Sequence, residues 1–229
     1  MKACYNYIRH QHPVASFLAA MMLVLATAPI DEQYRDGDLV EAARLSVLML
    51  LGLLAIGGRG KPLFLGLVLI TPALVGKWIS HYRPGLVPPW SFQLPAMLFL
   101  GLLFVQLLRF TFRARQVDSE VLSAGLAGYL LVGLTWGLCY SIEAQITPGA
   151  FALNGNPAPA STMRGFTTMY FSFITLSTIG YGDIVPVSGA ARMLAVLEAV
   201  TGTFYMAVMI SRLVSLYGIK SPEPSTTNV

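Results

Sequence analysis

The sequence predicts an all-α membrane protein with six transmembrane helices, and two observations support this fold class. Of the 229 residues, 55% are hydrophobic and only 11% are charged, whereas soluble domains carry about 25% charged residues. Six apolar stretches also recur along the chain, and most of them approach the ~20 residues that cross a bilayer. These stretches lie at roughly 14–30, 39–58, 62–79, 90–110, 120–146 and 187–217.

The first apolar stretch has two interpretations. Lys2 and Arg9 precede an apolar run that ends in Ala-Thr-Ala at residues 26–28, a pattern that also fits a cleaved signal peptide. Because Pro29 would follow the cut and is expected to hinder cleavage, we favour a retained first helix. Basic residues then predict cytoplasmic N- and C-termini, with nine Lys and Arg inside against six outside. This topology predicts a multi-pass protein of the plasma (inner) membrane.

The chain divides into three predicted parts. Residues 1–116 form a four-helix transmembrane domain, residues 117–220 form a helix–loop–helix unit, and residues 221–229 form a short cytoplasmic tail. Asp118 or Ser119 is expected to cap the fifth helix, because both residue types accept hydrogen bonds at helix N-termini.

The connection between the fifth and sixth helices is predicted to have two parts. Residues 148–162 are rich in Pro, Ala, Gly and Asn, which favours an irregular loop. Ser161 or Thr162 is expected to cap a short helix that follows and runs to about Leu176.

The segment 175–183 is the most informative motif in the chain. It reads Thr-Leu-Ser-Thr-Ile-Gly-Tyr-Gly-Asp, so glycines alternate with Ile179 and Tyr181. Because glycine tolerates positive φ, such a segment can aim successive carbonyl groups to one side. One chain cannot surround an ion in this way, but four copies around an axis can. The sequence holds a single copy of the motif and no convincing internal repeat, so four chains are required.

This segment resembles the selectivity filter of the potassium channel family, with Ile179 where the best-known filter has valine. The resemblance covers roughly residues 120–217, since Pro186 follows Asp183 by three residues and Gly202 follows it by nineteen. It implies a tetramer in which a re-entrant pore helix and filter loop lie between the fifth and sixth helices. The implied partners are therefore three further copies of the chain and membrane lipids.

The resemblance also implies which residues bind and select the ion. Carbonyl oxygens of the filter, together with the hydroxyl of its threonine, would replace the water shell of K⁺. The side chain of Tyr181 would point away from the pore and pack behind the filter. The ion-binding residues are Thr178, Ile179, Gly180, Tyr181 and Gly182, with K⁺ held at the first four.

Four residues are expected to support the filter. By resemblance, Asp183 would bond Tyr170, which stands where related channels often carry tryptophan. Glu143 resembles a glutamate that ties the fifth helix to the top of the pore, and the alternative is a solvated acid at a helix end. Glu198 is an ionisable residue inside the sixth helix, where such a group is costly. We interpret Glu198 as a brace that is neutral or hydrogen-bonded to the pore helix or a neighbouring subunit, with a proton sensor as the alternative.

The sixth helix is expected to form the inner part of the pore. By resemblance, Gly202 acts as a hinge. Helical periodicity below it puts four residues on one stripe, which we assign to the cavity and gate. An apolar ring in this stripe could close by dewetting; the alternative is that part of the stripe packs against the fifth helix. The stripe consists of Thr203, Met206, Ile210 and Val214.

The first four helices resemble a voltage-sensor bundle without its gating charges. Residues 90–108 contain no Lys or Arg, although a sensor helix needs several charges because each supplies only ~2.3 kcal/mol per 100 mV. Strong voltage gating is therefore not expected, and these helices are expected to brace the pore or bind lipid.

The function that the sequence predicts is a K⁺-selective channel that conducts passively, not an enzyme. A weakly selective cation channel and a non-conducting partner subunit of another channel are the alternatives. No nucleic acid and no soluble cofactor are expected, and K⁺ enters only as the permeant ion.

Overall fold

The computed structural model describes residues 13–29, 37–55, 60–83 and 85–217. Within these residues, six long helices and one short helix follow one another, and three short strands flank the short helix. The helices are α1 Pro13–Thr27, α2 Gly37–Ala55, α3 Lys61–Tyr82, α4 Trp90–Arg113, α5 Ser119–Ile146, α6 Gly165–Leu176 and α7 Gly189–Tyr217. The tail predicted at residues 221–229, like the first twelve residues, lies outside the described part of the chain.

Four of these helices are long and apolar enough to cross a membrane. They are α3, α4, α5 and the Gly189–Ser215 part of α7. The chain is therefore a multi-pass, all-α membrane protein. α1 has only 15 residues, and α2 has three charged residues among its 19, so their predicted crossing stays a prediction.

Local signals set several helix ends. The Asp118 side chain accepts a 2.8 Å hydrogen bond from the backbone N–H of Val121, so the predicted cap of α5 is confirmed. By contrast, the prediction that Ser161 or Thr162 caps α6 is wrong, because the helix begins at Gly165 after Arg164. Before the helix, the N–H of Thr162 bonds the carbonyl of Pro159 and the N–H of Arg164 bonds the carbonyl of Thr162, so these residues form turns instead of the first turn of α6.

The core of the bundle forms around α5, which packs against α1, α4, α6 and α7. Phe17 and Met21 from α1 meet Phe99 and Leu103 from α4 in one buried cluster with Leu131 of α5. Between membrane helices such side chains stabilise the bundle by close van der Waals packing rather than by removal from water. A second buried cluster joins the C-terminal part of α5 to α6, through Tyr140, Phe171 and Ile174.

Strands that precede and follow α6 in the chain form one small antiparallel sheet. The strands are β1 Phe151–Leu153, β2 Asn156–Pro157 and β3 Ile184–Pro186, in the order β2-β1-β3. The turn between β1 and β2 is Asn154-Gly155, and both residues have positive φ, at 49° and 81°. The prediction of an irregular loop at 148–162 is therefore partly wrong, because β1 and β2 form a hairpin within it. The Asn-Gly pair is the strongest short sequence signal for such a hairpin.

Candidate functional site

The filter-like segment leaves the C-terminal end of α6 and turns sharply. Thr178, Gly180 and Gly182 have φ values of 60°, 55° and 82°, so every second residue is left-handed. Glycine adopts such values easily, whereas a β-branched threonine does not. The strain at Thr178 indicates that its surroundings determine the backbone conformation at this position.

The amide groups of this segment point back to α6. The N–H groups of Ile179 and Gly180 both donate to the carbonyl of Ile174, at 2.9 and 3.2 Å. No described residue donates a hydrogen bond to the carbonyl oxygens of Thr178–Gly182. Because backbone carbonyls are strong acceptors that normally find partners, this row of oxygens is available to an ion or to water. The negative C-terminal end of α6 also favours a cation here.

In the single chain, the filter-like segment is exposed. The side chain of Tyr181 is 70% exposed and that of Ile179 is 55% exposed. Within the described residues, the packing expected behind Tyr181 is therefore not present.

Asp183 closes the segment with two hydrogen bonds. Its Oδ2 atom accepts a 2.8 Å hydrogen bond from the Tyr170 hydroxyl, as the resemblance implies. This bond raises the pKa of the Tyr170 phenol, which keeps the hydroxyl protonated as a donor. The Asp183 carbonyl accepts another hydrogen bond from the N–H of Asn154, also at 2.8 Å. Both α6 and the hairpin therefore hold the residue that follows the filter-like segment.

Glu143 joins α5 to the start of α7. Its Oε1 atom accepts a 3.0 Å hydrogen bond from the Ser188 hydroxyl, and the Ser188 oxygen in turn accepts from the N–H of Ala191. Only 9% of Glu143 is exposed, which is not the environment of a solvated acid at a helix end.

Glu198 lies at the centre of a fully buried polar cluster. The Tyr140 hydroxyl of α5 donates to its Oε2 atom, and the Ser172 hydroxyl of α6 lies within hydrogen-bond distance of its Oε1 atom. The Ser172 oxygen also lies 2.7 Å from the carbonyl of Gly133. Glu198 thus contacts α5 and α6 from α7, in the place where a brace was expected.

α7 remains one continuous helix through Gly202. A Cβ atom added at Gly202 would lie 2.7 Å from both the carbonyl oxygen and a side-chain carbon of Leu176. The absence of a side chain thus lets α7 approach the end of α6, which leads to the filter-like segment. The hinge implied by resemblance stays a prediction.

The four stripe residues of α7 lie on a face that the other described residues leave largely uncovered. Met206, Ile210 and Val214 are 45%, 55% and 64% exposed, and Thr203 is exposed as well. Tyr205, on another face, packs against α5 and donates a 2.6 Å hydrogen bond to the Gly125 carbonyl. The stripe is thus largely exposed, whereas the face with Tyr205 contacts α5.

Arg212 links the far end of α7 to the end of α4. Its Nη2 atom donates to the carbonyl oxygens of Phe112 and Ala114, at 2.9 and 2.7 Å. These carbonyls lie at the C-terminal end of α4, where backbone acceptors lack partners inside the helix.

Sequence reasoning missed Tyr140 and Ser172. They lie 58 and 26 residues from Glu198, so no local pattern joins them. A tyrosine and a serine inside apolar helices are weak signals by themselves, although buried polar groups in membranes usually find partners.

The long apolar helices and the short α6 between α5 and α7 fit the class of an all-α membrane channel. Residues 126–218 match the family described as ion channel. This match identifies residues 126–218 as an ion channel domain.

The relatives agree with that family. The chain is 30% identical over 177 residues to the voltage-gated potassium channel Kch of Escherichia coli strain K12. The aligned region covers 76% of this chain and 37% of that protein. Over 87 residues it is 34% identical to two-pore potassium channel 4 of Arabidopsis thaliana, or 38% of this chain and 27% of that protein. A voltage-gated potassium channel of Aeropyrum pernix is 28% identical over 91 residues, 37% of this chain and 31% of that protein.

The chain spans about a quarter to two fifths of the length of these three relatives. No solved structure gives a significant match.

Proposed function

We propose that four copies of this chain form a K⁺-selective channel that conducts passively. The observation that carries the proposal is the row of carbonyl oxygens at Thr178–Gly182, which accept no hydrogen bond from the described residues. Rings of such oxygens can replace the hydration shell of K⁺. The proposed mechanism uses no cofactor, and K⁺ enters it only as the permeant ion.

Two exposed surfaces favour a homotetramer. Ile179 and Tyr181 are exposed next to the proposed ion path, and the stripe of α7 is exposed below it. Four copies around one axis would bring both surfaces to that axis and would give Tyr181 a neighbour to pack against. Thr203, Met206, Ile210 and Val214 would then line the cavity and gate, and Gly202 would let the helix bend between them and the filter.

The braces would keep the proposed filter open to one diameter. Asp183 holds the end of the segment to Tyr170 of α6. Glu143 and Glu198 join α5, α6 and α7 to one another next to it. We place the filter near the outer face of the plasma membrane, with both termini in the cytoplasm. Weak voltage dependence is expected because α4 lacks Lys and Arg over residues 90–108.

The test is the reversal potential across a planar bilayer that contains the purified protein, with K⁺ on one side and Na⁺ on the other. We expect a value near the K⁺ equilibrium potential, and we expect Tyr181→Asp to move it toward zero. A potential near zero for the unmodified protein would instead favour the weakly selective channel. A protein that conducts only after mixing with another channel subunit would favour the partner role.

A further inference from the structure

The tip of the hairpin between β1 and β2 presents an Asn-Gly pair to solvent. Asn154 and Gly155 are both exposed, and their positive φ values of 49° and 81° are typical of a two-residue hairpin turn. Exposed loop tips are also where the backbone of a folded protein opens most readily. The pair is therefore accessible to reaction in water while the sheet remains intact.

The two groups of this pair that can react with each other are both free. Neither the side-chain amide of Asn154 nor the backbone N–H of Gly155 forms a hydrogen bond within the described part of the chain. Gly155 also has no side chain that would shield its nitrogen. Attack of this nitrogen on the Cγ atom of Asn154 closes a five-membered ring. The reaction is intramolecular, so it is favoured by proximity and needs no second reactant.

We propose that Asn154 is a deamidation site, where the side-chain amide becomes a carboxylate without an enzyme. The N–Cγ bond forms, the Cγ–Nδ2 bond breaks, and the amide proton of Gly155 leaves with Nδ2 as ammonia. Water then opens the succinimide ring. Cleavage of the new N–Cγ bond gives aspartate. Cleavage of the original peptide bond instead gives isoaspartate, in which the backbone continues through the side chain.

The same hairpin contains an internal control for this reaction. Asn156 is also exposed, but the residue that follows it is Pro157. A proline nitrogen within a peptide carries no hydrogen, so it cannot replace ammonia at the side-chain amide. Reaction is therefore expected at Asn154 and not at Asn156.

Deamidation at this position would affect the residue that follows the filter-like segment. The backbone N–H of Asn154 donates a 2.8 Å hydrogen bond to the carbonyl of Asp183. Either product adds a negative charge beside Asp183, which is itself acidic, and neighbouring like charges are destabilising. Isoaspartate also lengthens the backbone of the turn. Both changes weaken the contact between the hairpin and Asp183. The reaction itself does not depend on whether the chain conducts K⁺.

The experiment is incubation of the purified full chain in detergent at pH 8, with proteolytic digestion and tandem mass spectrometry at intervals. Deamidation raises the mass of a fragment by about one dalton, and the fragment series assigns the change to Asn154 or Asn156. A sample digested without incubation corrects for reaction during digestion, and a sample incubated in denaturant gives the rate in the unfolded chain. Asn154→Gly is the matched variant, because Gly-Gly retains the hairpin turn and has no side-chain amide.

We expect the product to accumulate at Asn154 in the folded protein, with none at Asn156. Hydrogen exchange at the amide of residue 154 should then become about fivefold faster, as for loss of one hydrogen bond. The same incubation should leave this exchange rate unchanged in Asn154→Gly. The proposal fails if Asn154 stays intact in the folded protein but reacts in denaturant, because the turn would then protect it, or if Asn156 reacts equally fast. Unchanged exchange after deamidation would refute the effect on Asp183.

Discussion

Replacing Glu198 tests whether its carboxyl group is neutral in the folded protein. The Ser172 hydroxyl carries one proton, yet its oxygen is close to both the Gly133 carbonyl and Glu198 Oε1. A carbonyl can only accept. If the serine proton goes to Gly133, the contact with Glu198 requires a proton on the glutamate. The hypothesis is therefore a neutral carboxylic acid that donates to Ser172 and accepts from Tyr140.

The expected magnitudes follow from these contacts. Glu198→Gln retains an acceptor for Tyr140 and a donor for Ser172, so its cost should stay below about 1 kcal/mol of unfolding free energy. Glu198→Ala leaves the buried Tyr140 hydroxyl without a partner, at about 1–3 kcal/mol. It also empties space where Glu198 is 0% exposed, so the total should reach about 2–5 kcal/mol.

The assay is reversible unfolding of the purified protein in detergent, followed by tryptophan fluorescence. Glu41→Ala is the matched control, because Glu41 forms a partly exposed ion pair with Lys77 and such pairs contribute about 0–1 kcal/mol. Equal destabilisation by Glu198→Gln and Glu198→Ala would refute the neutral acid. A Glu198→Ala variant as stable as the control would refute the brace.

Three further predictions concern single contacts. Gly202→Ala should destabilise the protein by about 1–3 kcal/mol in the same assay, because its Cβ would overlap the end of α6. A Cβ at Gly101 would have no neighbour within 4 Å, so Gly101→Ala should be neutral or stabilising. Equal losses of unfolding free energy in the two variants would contradict the close approach of Gly202 to α6. Tyr170→Phe should cost about 1 kcal/mol, since it removes the hydrogen bond to Asp183; unchanged unfolding would show that this bond is not formed. Arg212→Gln should raise amide hydrogen exchange at the end of α4 about tenfold, by removing two hydrogen bonds, and unchanged exchange would exclude this link.

Features that depend on nearby residues could be predicted from the sequence. The apolar runs indicated the long helices because membrane crossing requires ~20 apolar residues. The cap at Asp118 depends on a bond to Val121, three residues away. The filter motif could be found because its threonine and its two glycines lie within five residues of the sequence, and all three have positive φ in the structure.

Features that depend on distant residues could not be predicted in the same way. The contacts of Glu198 join three helices, and the register of those helices is set by packing rather than by local pattern. The pairing of Leu153 with Ile184 likewise brings together residues on opposite sides of α6. The hairpin at Asn154-Gly155 is a different case, because its signal was present and the composition of the surrounding loop obscured it.

The anchoring of the filter-like segment at both ends has a consequence for conformational entropy. Ordering one residue's backbone costs about 1–2 kcal/mol, and a free glycine-rich loop would meet that cost each time an ion arrived. Here α6 holds the amides of Ile179 and Gly180, and the hairpin and Tyr170 hold Asp183. Most of the ordering is therefore completed when the chain folds. If the segment binds a cation as proposed, the cost of ordering the loop would offset only a small part of the binding free energy.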